Sequence, residues 1–562
     1  MTDSYLALKN GGWNNRRLLK GDEEGANNDA AVEYKKNRGV AVYRFPVSEF
    51  GTYKVDVSIA ALEKDIEGAI LFSGRRNMIA MGINIPKGET YHKTFYQAVF
   101  PYIPALQSQR CNDKYIFVSV AGISDDEHSH KVDVSIVRED VPVIWVAGDS
   151  TLTDQNAGIP YYPYGSCGGW AQTIARYFDK AAVCNLAHSG MTSNCFRDDG
   201  HYDICREYMK EGDVFIMQFG HNDQKRRNLA AFGGYADNLR RYVSEVRDKG
   251  VEPIICSPIS RIPLSLSEDE AKELLMPRHY SLLWDYADAA CAVAEEMDVT
   301  FIDLHEKTFD KWVELGDKTK DFFMPGDITH TNEYGAVLIG DFFMSLLSGK
   351  NIESNFWPDS DTKILPKEAP CPSIFDIEPP YVDIKGIPEE GALKKPFRYA
   401  LLDPCVMYLH PYDEMPRGQL LMVMFNAFRM AGVRPYKKKF ADIKVDEWIS
   451  GYVQALIDND MIDGDEFRPD DPVTYEELSR FLILKLQKSQ DEKTKELLKT
   501  IDSQALYRYT QIAAKLGLIN NNESPDKVIN RAEVYITLAK FMDYVGSGME
   551  ALPEDAEVHP VH

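Results

Sequence analysis

Long apolar runs are missing from this 562-residue chain, and so is any surplus of positive charge. No stretch approaches the ~18 consecutive apolar residues that a spanning helix needs, so no membrane span is expected. Lys and Arg number 63 against 87 Asp and Glu, a formal net charge of -24. That balance argues against wrapping nucleic acid, whose phosphates demand a concentrated basic surface. Cysteine is sparse: nine residues, at positions 111, 167, 184, 195, 205, 256, 291, 371 and 405, with no Cys-x-x-Cys pair. Zinc and dithiol redox sites therefore lack their usual spacing. Most of these cysteines read as small buried hydrophobes, while a loop pair such as Cys167 with Cys195 stays open as a bridge. His-Glu-x-x-His, a calcium-binding EF-hand loop and a phosphate-cradling glycine loop are all absent, so no metal and no cofactor is expected. His128 and His130, in DDEHSH, read as an acidic hairpin turn rather than as cation ligands. The first residues, MTDSYLALKNGGWNNRR, lack the apolar core and cleavage pattern of an export leader. The expectation is a protein that is either intracellular or exported with its leader already removed.

What is present is an ordinary folding composition, 44% hydrophobic and 27% charged, in a chain long enough for three or four domains. Residues 1–140 alternate apolar and polar side chains in YKVDVSIAAL, KYIFVSVAG and KVDVSIVRE, the period of strands with one face on a core. A β-sandwich accessory domain is expected there. Residues 141–349 alternate strand-like runs (VIWVAG, AAVCN, DVFIMQ, VEPIIC) with helix-like ones (WAQTIARYFD, YADNLRRYVSEVR, WDYADAACAVAEEM). This pattern predicts an α/β domain with a largely parallel sheet and helices on both faces. Residues 350–400 are a proline-rich connector. Residues 401–548 read as all-helical, with a repeat of roughly 55 to 60 residues, and 549–562 as a tail.

The polar motifs of the central domain follow strand runs, where open α/β sheets place their sites. Ser150 stands in WVAGDST, at the turn after VIWVAG. DITH follows about 180 residues later with Asp327 and His330. A serine hydroxyl is a weak nucleophile until a base takes its proton. His330 suits that role, and Asp327 would hold the imidazole's tautomer and stabilise its charged form. The oxyanion needs donors fixed in advance, which the N–H of Ser150, the N–H of Gly190 and the side-chain amide of Asn222 supply. Loss of one such donor typically costs about 3 kcal/mol of barrier. Asp149 is read as supporting the turn through backbone N–H groups, and His188 as a rival base that lacks an acid at comparable spacing.

These four blocks, GDST at 148–151, NLAHSG at 185–190, FGHND at 219–223 and DITH at 327–330, resemble those of the SGNH (GDSL-type) hydrolases, and more closely the rhamnogalacturonan acetylesterase branch. The stretch YYPYGSCGGWAQ at 161–172 is similar to that branch's first loop, with GGWA where GWG is usual. The resemblance implies a flavodoxin-like, three-layer α/β domain. It also implies a serine esterase that removes O-acetyl groups from pectic, rhamnogalacturonan-like or xylan-like carbohydrate. Flat side chains near the nucleophile, Tyr162, Tyr164 and Trp170, suit stacking on sugar rings, with the core as their alternative place. Asn194, Arg197, His221 and Gln224 are candidates for contacts to sugar hydroxyls, and arginine's planar fork suits a uronate.

The N-terminal strands resemble galactose-binding-like jelly rolls. The C-terminal part is similar to surface-layer homology repeats, best at residues 440–482 with Phe440, Asp442, Trp448 and FRPDDPVT. The helix-opening signature stands as Arg417-Gly418-Gln419, Tyr475-Glu476-Glu477 and Arg531-Ala532-Glu533, so the second copy lacks the arginine and the first lacks the acid. Contact with cell-wall polymer, self-association, or packing on the catalytic domain are the roles such repeats suggest. The leading function is a carbohydrate acetylesterase. A lipase, thioesterase or acyltransferase on the same fold is the alternative within catalysis, and a non-catalytic glycan-binding or surface-attached protein is the alternative outside it.

Overall fold

The computed structural model describes residues 40–545 apart from 75–76, 104–109, 113, 124–126, 155–167, 324–327, 353, 355–380, 400, 403–407, 429–435, 446, 490, 503–504 and 522. Most of the expected connector and all of the tail thus lie outside the described residues. The chain divides into two compact units. One holds the described residues up to Pro263 together with those from Leu283 to 354. The other holds Leu264–Leu282 and the described residues from Tyr381 onward. A short excursion from within the expected 141–349 domain therefore clusters with the C-terminal part.

In the first unit the N-terminal strands are β1 (Val40–Pro46), β2 (Gly51–Ala61), β3 (Ile66–Ser73), β4 (Asn77–Ile85), β5 (Thr90–Val99), β6 (Tyr115–Ala121) and β7 (His130–Arg138). They are followed by β8 (Val143–Gly148), β9 (Ala182–Asn185), β10 (Val214–Gln218) and β11 (Glu252–Cys256). After the two-residue hairpin strands β12 (Leu264–Ser265) and β13 (His279–Tyr280), which belong to the second unit, comes β14 (Thr300–Ile302). An antiparallel sheet runs β1-β6-β3-β4, and an eight-stranded sheet runs β14-β11-β10-β8-β9-β5-β2-β7. The strands from β14 to β9 are parallel, as the alternation of elements predicts.

The separate sandwich expected for residues 1–140 takes a different form. Its second layer, β5-β2-β7, is not free-standing, because Gln97 of β5 pairs in parallel with Val183 of β9 and joins it to the parallel sheet. The two kinds of strand keep their own patterns. β2 alternates, with Val55, Val57 and Ile59 buried and the residues between them half-exposed. β8 is buried at every position from Val143 to Gly148, the mark of a central parallel strand covered on both faces. One hydrophobic cluster runs from Val55, Leu71 and Val118 through Ile144 and Trp170 to Leu338 and Phe343. The helix Trp170–Tyr177 is a 3-10 helix rather than an α-helix, and it lies against the closing helix Glu333–Ser348. Trp170 packs on Phe343 with ring centroids 4.9 Å apart, and Arg176 and Tyr177 both bind the buried Asp341 carboxylate.

In the second unit the helices Arg417–Phe428, Tyr475–Lys488 and Arg531–Tyr544 begin the three repeats. The residues two positions before each helix close a ring. Val473 N donates to Met415 O, Ile529 N to Val473 O, and Met415 N to Ile529 O, at 3.0, 2.9 and 3.4 Å. Side chains close a second ring: Arg417 binds Glu477 and Arg531 binds Gln419 at 3.0 Å. Lys527 bonds Glu533 at 2.5 Å while its ammonium sits over the Tyr475 ring. Gln419 and Tyr475, the two departures from the repeat signature, thus still occupy its inter-repeat positions. Asp442 accepts from the N–H groups of Phe467 and Arg468 at 2.8 and 2.5 Å and fixes the FRPDD turn. Among the described residues no helix is long and apolar enough to cross a membrane.

Asp213, 1% exposed, ties the start of the central strand to its neighbour. It accepts from Val143 N and Trp145 Nε1, each at 2.9 Å. Asp213→Ala leaves both buried donors unpaired. The expected loss is about 2–4 kcal/mol, read as a lower urea midpoint with an unchanged slope.

Candidate functional site

Ser150 sits on the turn that leaves the C-terminal end of β8, where the sheet stops and side chains can converge. Its hydroxyl lies 2.9 Å from His330 Nε2, and both residues are buried, 2% and 5% exposed. The turn is fixed from below. Asp149 Oδ1 accepts from the N–H of Thr151 at 2.9 Å and from its hydroxyl at 2.7 Å, the supporting role read from sequence. Gln218, the last residue of β10, donates from Nε2 to Thr151 Oγ1 at 2.7 Å and accepts from Trp170 Nε1 at 3.0 Å. Gly169 lets the next segment pass: a Cβ there would stand 2.3 Å from Leu152 C, and Trp170 N donates to Thr151 O at 2.9 Å.

His330 is held by its own neighbours. Thr331 exchanges two bonds with Gly168, N–H to carbonyl at 2.9 Å and hydroxyl to carbonyl at 2.8 Å. Asn332 caps the closing helix by accepting from Tyr334 N and Gly335 N. Arg261 Nε donates to Thr329 Oγ1 at 2.9 Å, and Ile262 N to Ile328 O at 2.9 Å. Asp327, the expected triad acid, lies outside the described residues, as do Tyr162 and Tyr164.

The expected oxyanion donors stand on two further strand-end loops. Gly190 has φ +79°, a conformation that glycine alone adopts cheaply. The Asn222 amide is oriented by Lys225 Nζ on its oxygen at 3.0 Å and by the Met191 carbonyl on its nitrogen at 3.1 Å. One of its two N–H groups goes to that carbonyl, and an amide nitrogen carries a second.

Several expected substrate contacts have structural partners instead. Trp170 is fully buried beneath Phe343 and spends its N–H on Gln218, so it is a core side chain and not a sugar platform. The Arg197 guanidinium is taken by Glu245 at 2.6 and 2.8 Å and lies over the rings of Tyr202 and Tyr242, so it is no uronate clamp. Asn194 bonds Thr192 and Asp198. Gln224 is buried and donates to His221 O at 3.1 Å. His188 is buried with its ring 4.8 Å from that of His201. Cys195 carries a free thiol, so no bridge to Cys167 forms, and Cys167 itself is outside the described residues. Among the described residues no group of three or more His, Cys, Asp or Glu could hold a metal.

His221 belongs to the support of the site. It is buried, its Nε2 donates to Ile259 O at 3.0 Å, and its Nδ1 faces Asp149 Oδ2 at 3.3 Å. Burial holds its pKa below the ordinary histidine value against the pull of Asp149. Burial also opposes the charge of Asp149, but His221 and the two Thr151 donors outweigh it and hold that carboxyl below the aspartate range. Sequence reasoning missed Thr151, Gln218, Asp223 and Arg261. Of these, Gln218 had left a signal, a glutamine closing the otherwise apolar run VFIMQ.

Asp223 is fully buried and accepts from Ser193 N at 2.9 Å and Gly220 N at 3.0 Å. Burial nevertheless pushes its pKa up from 3.8 to about 6. The folded state then holds this proton more tightly than the unfolded one. The resulting stabilisation is complete below 3.8 and is lost as pH rises to about 6. Against Asp223→Asn, which does not titrate, the wild-type chain should show a larger stability advantage at pH about 4.5 than at about 7, read from urea midpoints. An advantage that is the same at both pH values contradicts the assignment.

Residues 146–338 match the GDSL-like lipase/acylhydrolase family, and residues 439–479 match the S-layer homology domain. An uncharacterised esterase of Bacillus subtilis (strain 168), YxiM, is 31% identical over 198 residues, which cover 34% of this chain and 48% of that protein. The rhamnogalacturonan acetylesterase RhgT of the same organism is 32% identical over 166 residues, 29% of this chain and 66% of RhgT. The chain thus spans about half the length of the first relative and just under two thirds of the second. A crystal structure of protein YxiM from Bacillus subtilis aligns at 23% identity over 55% of this chain and 80% of that one, with a TM-score of 0.34. The chain carries a hydrolase domain of the GDSL-like lipase/acylhydrolase family at residues 146–338 and an S-layer homology domain at residues 439–479.

Proposed function

We propose that this protein is a serine esterase that removes O-acetyl groups from plant cell-wall carbohydrate, pectic (rhamnogalacturonan-like) or xylan-like. The observation that carries the reading is the 2.9 Å contact between Ser150 Oγ and His330 Nε2, on a turn braced from beneath. A base at that distance can take the hydroxyl proton as the oxygen attacks an acetyl carbonyl. The tetrahedral oxyanion would be met by the N–H of Ser150, the N–H of Gly190 and the second N–H of Asn222. His330 then returns the proton to the leaving sugar oxygen, and water attacks the acetyl-enzyme by the same route. Asp327, three residues before His330 in the chain, is assigned the orienting carboxylate. The choice of acetylated carbohydrate is supported by the name of RhgT, a rhamnogalacturonan acetylesterase.

The other parts receive roles that follow from their place. The N-terminal strands, galactose-binding-like in pattern, cover and extend the hydrolase sheet. The C-terminal repeats serve contact with cell-wall polymer or self-association, the surface-layer homology match supporting the former.

Acetate release from acetylated pectin, acetylated xylan and small acetylated sugars tests the reading. Wild-type chain should release acetate from at least one of them, and Ser150→Ala should lower kcat by about 10⁴-fold or more. No acetate from any acetyl ester overturns the esterase reading. Release unchanged in Ser150→Ala overturns the site.

A further inference from the structure

We propose that Lys225 is a positioning residue of the hydrolytic reaction: its ammonium holds the oxygen of the Asn222 amide and so strengthens the N–H that Asn222 offers to the developing oxyanion. The inference rests on the esterase reading and deepens it. The FGHND block that carries Asn222 ends two residues before Lys225, so the block itself gives the lysine no part.

The backbone delivers the lysine to this place. Residues Asp223–Lys225 form a single 3-10 turn directly after Asn222. Three residues complete a turn of that helix, so side chains at i and i+3 eclipse, and position 225 returns over position 222. Lys225 N donates to the Asn222 carbonyl at 3.1 Å, and Gln224 N to Gly220 O at 3.1 Å. The turn is pinned at its centre, because the buried Asp223 carboxyl accepts from Gly220 N at 3.0 Å and from Ser193 N at 2.9 Å. Asp223 thereby fastens the Asn222 loop to the segment that follows Gly190, the other loop assigned an oxyanion donor. Lys225 Nζ then donates to Asn222 Oδ1 at 3.0 Å, with Lys225 half-buried and Asn222 buried.

These contacts sort the two ends of the amide. Its nitrogen donates to Met191 O at 3.1 Å, and its oxygen accepts from an ammonium. Turned over, the amide would set its oxygen against the Met191 carbonyl and its N–H groups against the ammonium, acceptor on acceptor and donor on donor. One orientation survives, and it leaves the second N–H of the nitrogen for the oxyanion. The ammonium also does more than orient. A hydrogen bond from a charged donor is about twice as strong as one between neutral groups, and it draws electron density onto the amide oxygen. The nitrogen then yields lone-pair density toward the carbonyl carbon, and its N–H groups become more positive. Polarisation of this kind strengthens the next bond in a chain by about 10–30%. A neutral ester oxygen gains little from a more positive N–H, whereas the oxyanion gains much. The benefit therefore falls on the transition state and not on substrate binding. An ammonium carries three donors, and this role uses one of them, whatever else the side chain touches.

The test is a double-mutant cycle in the full chain, with p-nitrophenyl acetate as the ester, release of p-nitrophenol as the readout and the Ser150→Ala chain as the blank. Lys225→Met keeps an unbranched stem and removes the charge. It should lower kcat roughly tenfold with KM changed by less than about twofold. Asn222→Ala, which removes the whole donor, should lower kcat by roughly 10²–10³-fold. In the Asn222→Ala background Lys225→Met should cost nothing further, because the amide through which the lysine acts is gone. A lysine that merely supports the fold would lower kcat by the same factor with or without Asn222. Lys225→Gln, also uncharged, supplies the cycle if Lys225→Met does not fold, which its urea midpoint reports. An unmoved kcat, an effect on KM alone, or equal factors in the two backgrounds overturns the proposal. A wild-type chain inactive on every acetyl ester removes the esterase reading and this inference with it. An active wild-type chain with any of those three results overturns this inference alone.

Discussion

A chain of buried hydrogen bonds running from Trp170 through Gln218 and Thr151 to Asp149 is the constraint on which the site depends. It crosses from the first residue of the helix Trp170–Tyr177 to the ends of β10 and β8, and it holds the turn that carries Ser150. Each member is nearly or fully buried, so no water competes for these bonds, and each donor lost would leave a partner unpaired. Trp170 is therefore not wasted on the core. It closes the polar chain with its one N–H while its ring packs the closing helix, and that helix begins two residues after Thr331, the clamp beside His330. The Ser150 hydroxyl and the His330 imidazole stand 2.9 Å apart because both are fastened to the same few elements.

The joining of two sheets extends this logic outward. A parallel sheet built from βαβ units has open edges, and edges invite pairing. Here β9 is met by β5, which brings an antiparallel layer whose other face shares a core with the β1-β6-β3-β4 sheet. The N-terminal strands thus complete the hydrolase rather than hang from it, and the seam leaves room for a pocket with polar walls from both parts.

Much of this was legible in the residues. The strands of both regions, the parallel order, the turn at Ser150 and the helical repeats follow from period-2 and period-3.6 patterning and from polar blocks placed after apolar runs. What was not legible depended on partners remote in sequence. Nothing near Arg197 signals that Glu245 will take its guanidinium, and nothing near Trp170 signals that Phe343 will cover it. An aromatic or an arginine beside a motif looks the same whether it faces solvent or a neighbouring helix. The merging of sheets was hidden for a similar reason: a single pair, Gln97 with Val183, decides it. The repeats show the reverse case. Tyr475 and Gln419 break the signature in sequence but occupy its positions in the ring, because geometry asks for a side chain of suitable reach at those places and not for one fixed charge.

The buried ionisable groups around Ser150 are sorted by environment, and the sorting suits the proposed chemistry. Asp149 and Asp223 are both fully buried carboxyls. Asp149, beside His221 and with two Thr151 donors, is held ionised, whereas burial drives Asp223 toward the protonated form near pH 6. Two adjacent buried charges of one sign are costly, and separating their pKa values avoids that cost. Burial draws the His221 pKa down and the Asp149 carboxylate draws it up, and burial prevails. Under the proposed mechanism a positive charge appears on His330 each time Ser150 gives up its proton. A protonated His221 would repel that charge, and the coupling between the two rings runs in that direction. The support beneath the turn thus positions the hydroxyl through the same Thr151 contacts that hold Asp149 below the aspartate range.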